Sequence, residues 1–225
     1  MAIQKLRSLV LLLSSIGVVF GQGEHPITKR KYAQVMGAAG AGWLERSERE
    51  EEENPEKAIR ALDLQPGMVV ADVGAGSGYF TLRMAKLVGP GGKVYASDIQ
   101  QQMLDLLKER MRSEKISNVE LVRGTFTDPK LPSGKMDLIL MVDVYHEFSE
   151  PQAMLRKMKE ALAPDGRLVL IEYRKEDASV PIRFEHKMSV AEVRAELEAE
   201  GFKLDRLLDL LPRQHIFIFK SNSRN

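Results

Sequence analysis

Apolar and polar positions alternate in blocks along most of this chain. From residue 68 onward, Met68–Val73, Lys93–Ile99, Val119–Val122, Met136–Val142 and Arg167–Tyr173 are short apolar runs of strand length. Between them, Tyr79–Val88, Gln101–Glu114 and Pro151–Leu162 carry apolar residues at helical spacing. Gly89-Pro90-Gly91-Gly92 stops the first of these helices and Pro164-Asp165-Gly166 the last. Ser189-Val-Ala-Glu192 is a capping box and predicts a helix running to Glu200, ended by Gly201. Two further strands, Lys203–Leu210 and Gln214–Lys220, flank Leu211-Pro212-Arg213. Strands alternating with helices of this length predict an α/β fold, a doubly wound and mainly parallel sheet of seven strands. The last connection is too short for a crossover helix, so the final strand is expected to run antiparallel.

The N-terminal part breaks this pattern. Lys5 and Arg7 precede an uncharged run, Leu9–Phe20, followed by Gly21 and Gly23. A basic start, an apolar centre and small residues at a cleavage point are the layout of a secretory signal. The run is short of the ~20 residues a spanning helix needs, so an uncleaved anchor ranks second. Residues 1–23 are therefore expected to export the protein or tether it to a membrane through residues 9–20. The alternative is a buried first helix of a cytoplasmic protein. Residues 24–53 are polar and small, with a Gly/Ala-rich stretch from Met36 to Trp43 and dense charge up to Glu53. Glu45/Arg49 and Arg46/Glu50 are opposite charges at i,i+4, which predicts a solvated helix. Asn54-Pro55 opens the next helix, with Ala58, Ile59, Ala61 and Leu62 on its apolar face. Residues 24–64 thus read as an N-terminal helical extension and 65–220 as one domain.

Composition narrows the chemistry. The 225 residues include 33 Lys+Arg, 32 Asp+Glu, four histidines and no cysteine. A net charge of +1 gives no electrostatic footprint for nucleic acid. Lys5 and Arg7 are two of the 33 basic residues, so without residues 1–23 the balance becomes 31 against 32, a net of −1. Zero cysteines exclude disulfides, thiol nucleophiles and cysteine-based metal sites. No two of His25, His146, His186 and His215 share a helical ligand spacing, and no metal is expected.

Asp72-Val-Gly74-Ala75-Gly76-Ser77-Gly78 lies between a predicted strand and helix, where a nucleotide-binding turn belongs. Its third Gly follows two residues after the second, and Tyr79 stands where a dinucleotide fingerprint has Gly or Ala. Asp72 would repel a pyrophosphate and suits a ligand carrying an ammonium or sulfonium. Asp98, 20 residues after Gly78, ends the second strand where a carboxylate accepts ribose hydroxyls.

These residues resemble motif I of the class I S-adenosylmethionine-dependent methyltransferases. The resemblance rests on Val70–Phe80, on Tyr95-Ala-Ser-Asp-Ile99 with Met103-Leu104, and on Leu162–Leu168. It covers residues 65–220 and is nearest to the branch holding ubiquinone/menaquinone C-methyltransferases and arsenite methyltransferases. It implies a Rossmann-like fold with an antiparallel last strand, and S-adenosyl-L-methionine as cofactor. It implies that Gly74, Ala75, Gly76, Ser77, Gly78 and Tyr79 pack on the methionine part, with Asp72 near its amino group. Asp98 is then the ribose ligand, Ile99 and Met103 line the adenine, and Asp143 sits beside the cofactor. The acid usual after the third strand is missing; Gly124-Thr125-Phe126 stands there, leaving adenine to Thr125, Phe126 or backbone amides. Arsenite chemistry needs thiols, and the chain has none.

Tyr145-His146-Glu147 follows the fourth strand, at the sheet edge where ligands bind in this architecture. His146, with Tyr145 and Glu147, is the candidate catalytic base or acceptor-orienting group; a base is needed only where the acceptor must lose a proton. Glu172 and Tyr173 end the fifth strand on the same edge and His186 precedes the last helix, so all three are candidates to bind the acceptor. Residues 32–53, with Trp43, are expected to form a lid, the alternative being a packing anchor. The leading expectation is methyl transfer to a small aromatic or lipid-like acceptor. A non-catalytic adenosylmethionine-binding domain and a dinucleotide oxidoreductase are the alternatives.

Overall fold

The runs read as strands pair into one seven-stranded sheet in the computed structural model, which describes residues 23–222. The strands are β1 (Val69–Val73), β2 (Lys93–Asp98), β3 (Val119–Arg123), β4 (Met136–Val142), β5 (Leu162–Tyr173), β6 (Phe202–Leu208) and β7 (Gln214–Ser221). Their order is β3-β2-β1-β4-β5-β7-β6. β1 to β5 pair in parallel, and β7 runs antiparallel to both β5 and β6. The helices are α1 (Ala41–Leu44), α2 (Arg49–Glu53), α3 (Pro55–Ala61), α4 (Tyr79–Val88), α5 (Gln101–Ser113), α6 (Pro151–Ala161) and α7 (Val190–Ala199). The basic start and apolar run of the signal-like segment lie outside the described residues. Among those described, no helix is long and apolar enough to cross a membrane.

Helices on both faces explain why the central strands carry apolar side chains on both sides of the sheet. In β4, Leu138 and Leu140 pack with Ile59 of α3 and Met84 and Val88 of α4. Ile139 and Met141, pointing the other way, pack with Met154, Leu155 and Met158 of α6 and Val193 and Leu197 of α7. All four β4 side chains are fully buried, each contributing about 1.5–3 kcal/mol. The predicted capping box forms: Ser189 Oγ accepts from Glu192 N at 3.1 Å, and Glu192 Oε2 accepts from Ser189 N at 2.9 Å.

Two expectations change. β5 starts at Leu162 rather than Arg167, because Leu162 pairs with Met136 and the strand then bulges before Arg167 pairs with Leu138. The charge-dense stretch before Glu53 is not one solvated helix. It breaks into α1 and α2, so Glu45 and Arg49, and Arg46 and Glu50, do not pair with each other. Glu45 instead pairs with Arg110 and accepts from Ser77 Oγ at 2.5 Å, and Glu50 accepts from Tyr79 Oη at 2.7 Å. Arg49 and Glu53 are buried and joined at 2.5 Å. These contacts fasten the extension across the carboxyl end of the sheet. A second fastening is Arg30, whose Nε and Nη2 donate to the two oxygens of buried Glu196 on α7 at 2.8 and 2.9 Å.

Candidate functional site

β1 and β4 lie side by side, and the chain leaves them toward opposite edges of the sheet. A crevice must open beyond their carboxyl ends. The cavity there measures about 590 Å³, a size that takes a small molecule.

One wall is the turn between β1 and α4. Gly74 N and Ala75 N donate to Ser97 O at 2.8 and 3.1 Å. Gly76 N donates to Asp98 Oδ2 at 2.9 Å and Gln100 N to Asp98 Oδ1 at 2.8 Å. The Asp98 carboxylate therefore ties the tips of β1 and β2 together, and burial raises its pKa. Gly74 has φ +74°, and a Cβ there would stand 2.4 Å from Val144 Cγ2. Glycine lets the two strand tips close on each other.

Asp143 follows β4 with φ 49°. Its Oδ2 accepts from Gln214 Nε2 at 2.7 Å, while its buried Oδ1 has no hydrogen-bond partner among the described residues. Burial, and then the nearby Glu53 and Glu172 carboxylates, push its pKa well above the usual carboxylate value.

The opposite end is built from two 3-10 turns, Tyr145–Glu147 and Phe184–His186. His146 Nδ1 donates to Glu172 Oε2 at 2.6 Å, and Glu172 Oε1 accepts from Tyr145 N at 2.9 Å. Both side chains are buried. With Nδ1 so occupied, Nε2 keeps its lone pair and lies 3.2 Å from His186 Nδ1. Glu147 Oε1 accepts from Met36 N at 3.2 Å, and burial pushes its pKa up to about 7. Burial, with His146 alongside, lowers the pKa of His186. The extension roofs the cavity through Gln34, Val35, Met36, Trp43, Leu44 and Arg49.

Of the residues singled out from sequence, Trp43, Gly74, Gly76, Asp98, Ile99, Met103, Thr125, Phe126, Asp143, His146, Glu147, Tyr173 and His186 line this cavity. Asp72 does not; it is buried behind the turn, with Oδ2 accepting from Thr81 Oγ1 at 2.6 Å. Ala75 packs on Leu82 and Leu107, and a Cβ on Gly78 would meet the same Leu107. Ser77 and Tyr79 turn their hydroxyls to Glu45 and Glu50. Tyr145 is fully buried in the core below the turn, and Glu172 stands behind His146 rather than in the cavity. The alternation of strand faces and the helix start carry these side chains away from the opening. Sequence reasoning missed Arg49, Gln100, Val144 and Phe148, all of which line the cavity. Arg49 was hidden by a charge pattern that reads as solvent-facing; for Val144 and Phe148 the signal was their place beside His146.

A family model described as "Methyltransferase domain" matches residues 64–210. The ubiquinone/menaquinone biosynthesis C-methyltransferase of Shewanella oneidensis is 32% identical over 118 residues, which are 52% of this chain and 47% of that protein. A demethylmenaquinone methyltransferase of a Geobacillus strain is 25% identical over 117 residues, 52% of this chain and 50% of that protein. The chain thus spans about half the length of the curated relatives it matches. The crystal structure of a SAM dependent methyltransferase from Aquifex aeolicus is 30% identical, with a TM-score of 0.77 over 82% of this chain and 98% of that one.

Proposed function

The chain belongs to the methyltransferase-domain family, and on that premise we propose that it transfers the methyl group of S-adenosylmethionine to a small aromatic or lipid-like acceptor. The observation that carries the reading is the two-ended cavity at the β1/β4 switch point. One end has the glycine turn, Asp98 and Asp143; the other has His146, Glu147 and His186.

The residues fit the cofactor on a specific count. Asp143 Oδ1 is a buried acceptor without a donor, and a ligand bearing an ammonium and a sulfonium supplies the missing positive charge. Asp98 stands where ribose hydroxyls would be held, and Ile99 and Met103 offer an apolar face for a base. When bound, adenosylmethionine supplies a methyl carbon on a positively charged sulfur. The chain's own contribution is alignment, exclusion of water under the roof of residues 34–49, and handling of the acceptor's proton. His146 Nε2, oriented by Glu172, takes that proton where the acceptor is a hydroxyl or an activated carbon acid. Trp43, Phe126, Phe148, Met154 and Ile182 line the cavity with apolar surface, which supports an aromatic or lipid-like acceptor.

Calorimetric titration with adenosylhomocysteine and, in parallel, NAD tests the reading. Binding of the first alone is expected; binding of NAD alone would return the chain to the dinucleotide oxidoreductases. Adenosylhomocysteine binding without methyl transfer to any of a broad phenol, quinol and lipid panel would favour a binding domain. The proposal extends to residues 1–23 as an export signal or membrane tether, and sequencing the mature N-terminus from cell fractions tests it. Residues 9–20 intact in a soluble cytoplasmic fraction would reject it.

A further inference from the structure

We propose that His146, His186 and Glu147 form a binding site for a divalent transition-metal cation at the acceptor end of the cavity. One ligand atom from each of the three lies within 4.8 Å of the others. The two imidazole nitrogens are 3.2 Å apart. Two nitrogens bound to one ion at ~2.0–2.1 Å, at octahedral to tetrahedral angles, stand roughly 2.8–3.4 Å from each other. The observed spacing needs little adjustment to accept an ion.

Three further features point the same way. Glu172 holds His146 Nδ1 at 2.6 Å and is itself fixed by Tyr145 N, which is how a carboxylate orients a metal-ligating imidazole. Nε2 is left with its lone pair facing His186. Glu147 Oε1 accepts from Met36 N, which holds its carboxylate beside the two rings. All three ligand side chains line the cavity, so the remaining coordination positions open toward the space a substrate would occupy. Two imidazoles and one carboxylate suit Zn²⁺, Fe²⁺, Co²⁺ or Mn²⁺ better than Mg²⁺ or Ca²⁺, which prefer all-oxygen shells. The sequence concealed this arrangement because the two histidines are 40 residues apart on separate turns, with no ligand spacing to read.

The consequence for the substrate rests on the methyl-transfer reading. An acceptor oxygen bound to the ion gives up its proton to water more readily than a free one. In the metal-loaded protein His146 therefore serves as a ligand, and the favoured acceptor is a hydroxyl, above all one of a pair able to chelate.

The test uses the full chain, stripped of metal with a chelator and titrated with Co²⁺ while visible absorption is followed. One equivalent is expected to bind with d–d bands of a four- or five-coordinate site, and Zn²⁺ should displace it. His186→Ala and Glu147→Gln should weaken Co²⁺ binding at least tenfold, and Glu172→Gln by about 10–100-fold. Circular dichroism checks that each variant is folded, and His186→Gln carries the same test if the alanine variant is not. Absence of Co²⁺ bands in the wild-type chain, or undiminished binding in the His186 variants, would overturn the site and leave a plain imidazole–imidazole hydrogen bond. Adenosylhomocysteine titrated into the same metal-free samples separates the two proposals. Binding of it without Co²⁺ binding removes only the metal site, and the reverse removes only the methyl-transfer reading.

Discussion

Glu172 holds His146 in place from behind: Oε2 accepts from Nδ1 at 2.6 Å while Oε1 accepts from the Tyr145 amide at 2.9 Å. The pair fixes the tautomer in which Nε2 faces the cavity. Glu172→Gln keeps the shape but can present an amide N–H to Nδ1, reversing the tautomer. In the metal-free protein, where His146 Nε2 is the proton acceptor, methyl transfer to a hydroxyl acceptor is expected to fall about 10²–10⁴-fold in kcat, the usual worth of such a group. KM for adenosylmethionine should stay within about threefold, because Asp98 and the glycine turn are untouched. Steady-state kinetics with each substrate varied checks the split. A loss confined to KM would assign Glu172 to packing alone.

The closeness of the β1 and β4 tips gives a second expectation. Gly74 and Gly89 both have positive φ, +74° and +66°, but a Cβ on Gly74 would lie 2.4 Å from Val144 Cγ2, while one on Gly89 meets nothing within 4 Å. Gly89→Ala meets no clash but forces a side chain into φ 66°, ψ −174°, a region essentially reserved for glycine, and should cost about 1–3 kcal/mol. Gly74→Ala adds the clash, about 1–3 kcal/mol more, and shifts the cavity wall. Urea unfolding of the two variants should therefore differ, and only Gly74→Ala should weaken adenosylhomocysteine binding. Equal costs would mean that Val144 moves aside freely.

Much of this architecture was legible because parallel strands buried on both faces leave continuous apolar runs, as in Met136–Val142. The boundary of β5 was not, since Pro164-Asp165-Gly166 carries the same residues whether it stops a helix or forms a bulge. The glycine turn and Asp98 were legible from spacing, and all but their side-chain directions followed. Asp72 shows the limit: its neighbours along the chain cannot reveal that Thr81, nine residues on, turns it away from the cavity. Arg49 and Arg30 show another. Both are buried ion-pair members, yet local charge pattern marks such residues as solvent-facing, because it does not see the element that later covers them.

Burial pushes the pKa of Asp72 up to about 6. The unfolded chain releases the same proton near ~3.9. Between about pH 4 and pH 6 the folded state retains a proton the unfolded state has lost, so stability falls as pH rises through that window and levels off above it. The shift of about two units corresponds to roughly 3 kcal/mol. Asp72→Asn removes this slope. Relative to wild type, the variant should gain stability as pH rises from about 4 to about 7, by up to that amount. Chemical denaturation at several pH values measures it, and a difference that stays constant across the window would contradict the placement of Asp72 in a desolvated pocket.

Trp43 is the chain's single tryptophan, and its position makes the roof directly observable. It lines the cavity yet is 42% exposed, with the Arg46 guanidinium 3.8 Å over its ring. Its neighbour Leu44 reaches the glycine turn, where a Cβ on Gly76 would lie 2.9 Å from Leu44 Cδ1. A ligand seated against that turn therefore touches the roof, and closure over it removes water from the indole. Adenosylhomocysteine should shift the emission of Trp43 to shorter wavelength, saturating at the Kd found by calorimetry. Trp43→Ala should weaken that binding about 5–30-fold, or about 1–2 kcal/mol, with a smaller effect on the melting temperature. Unchanged affinity with a lowered melting temperature would make Trp43 a packing anchor. The roof would then be a fixed part of the fold, since the Glu45–Arg110 and Arg30–Glu196 pairs and the hydrogen bond from Tyr173 Oη to Glu53 hold it in place without any ligand.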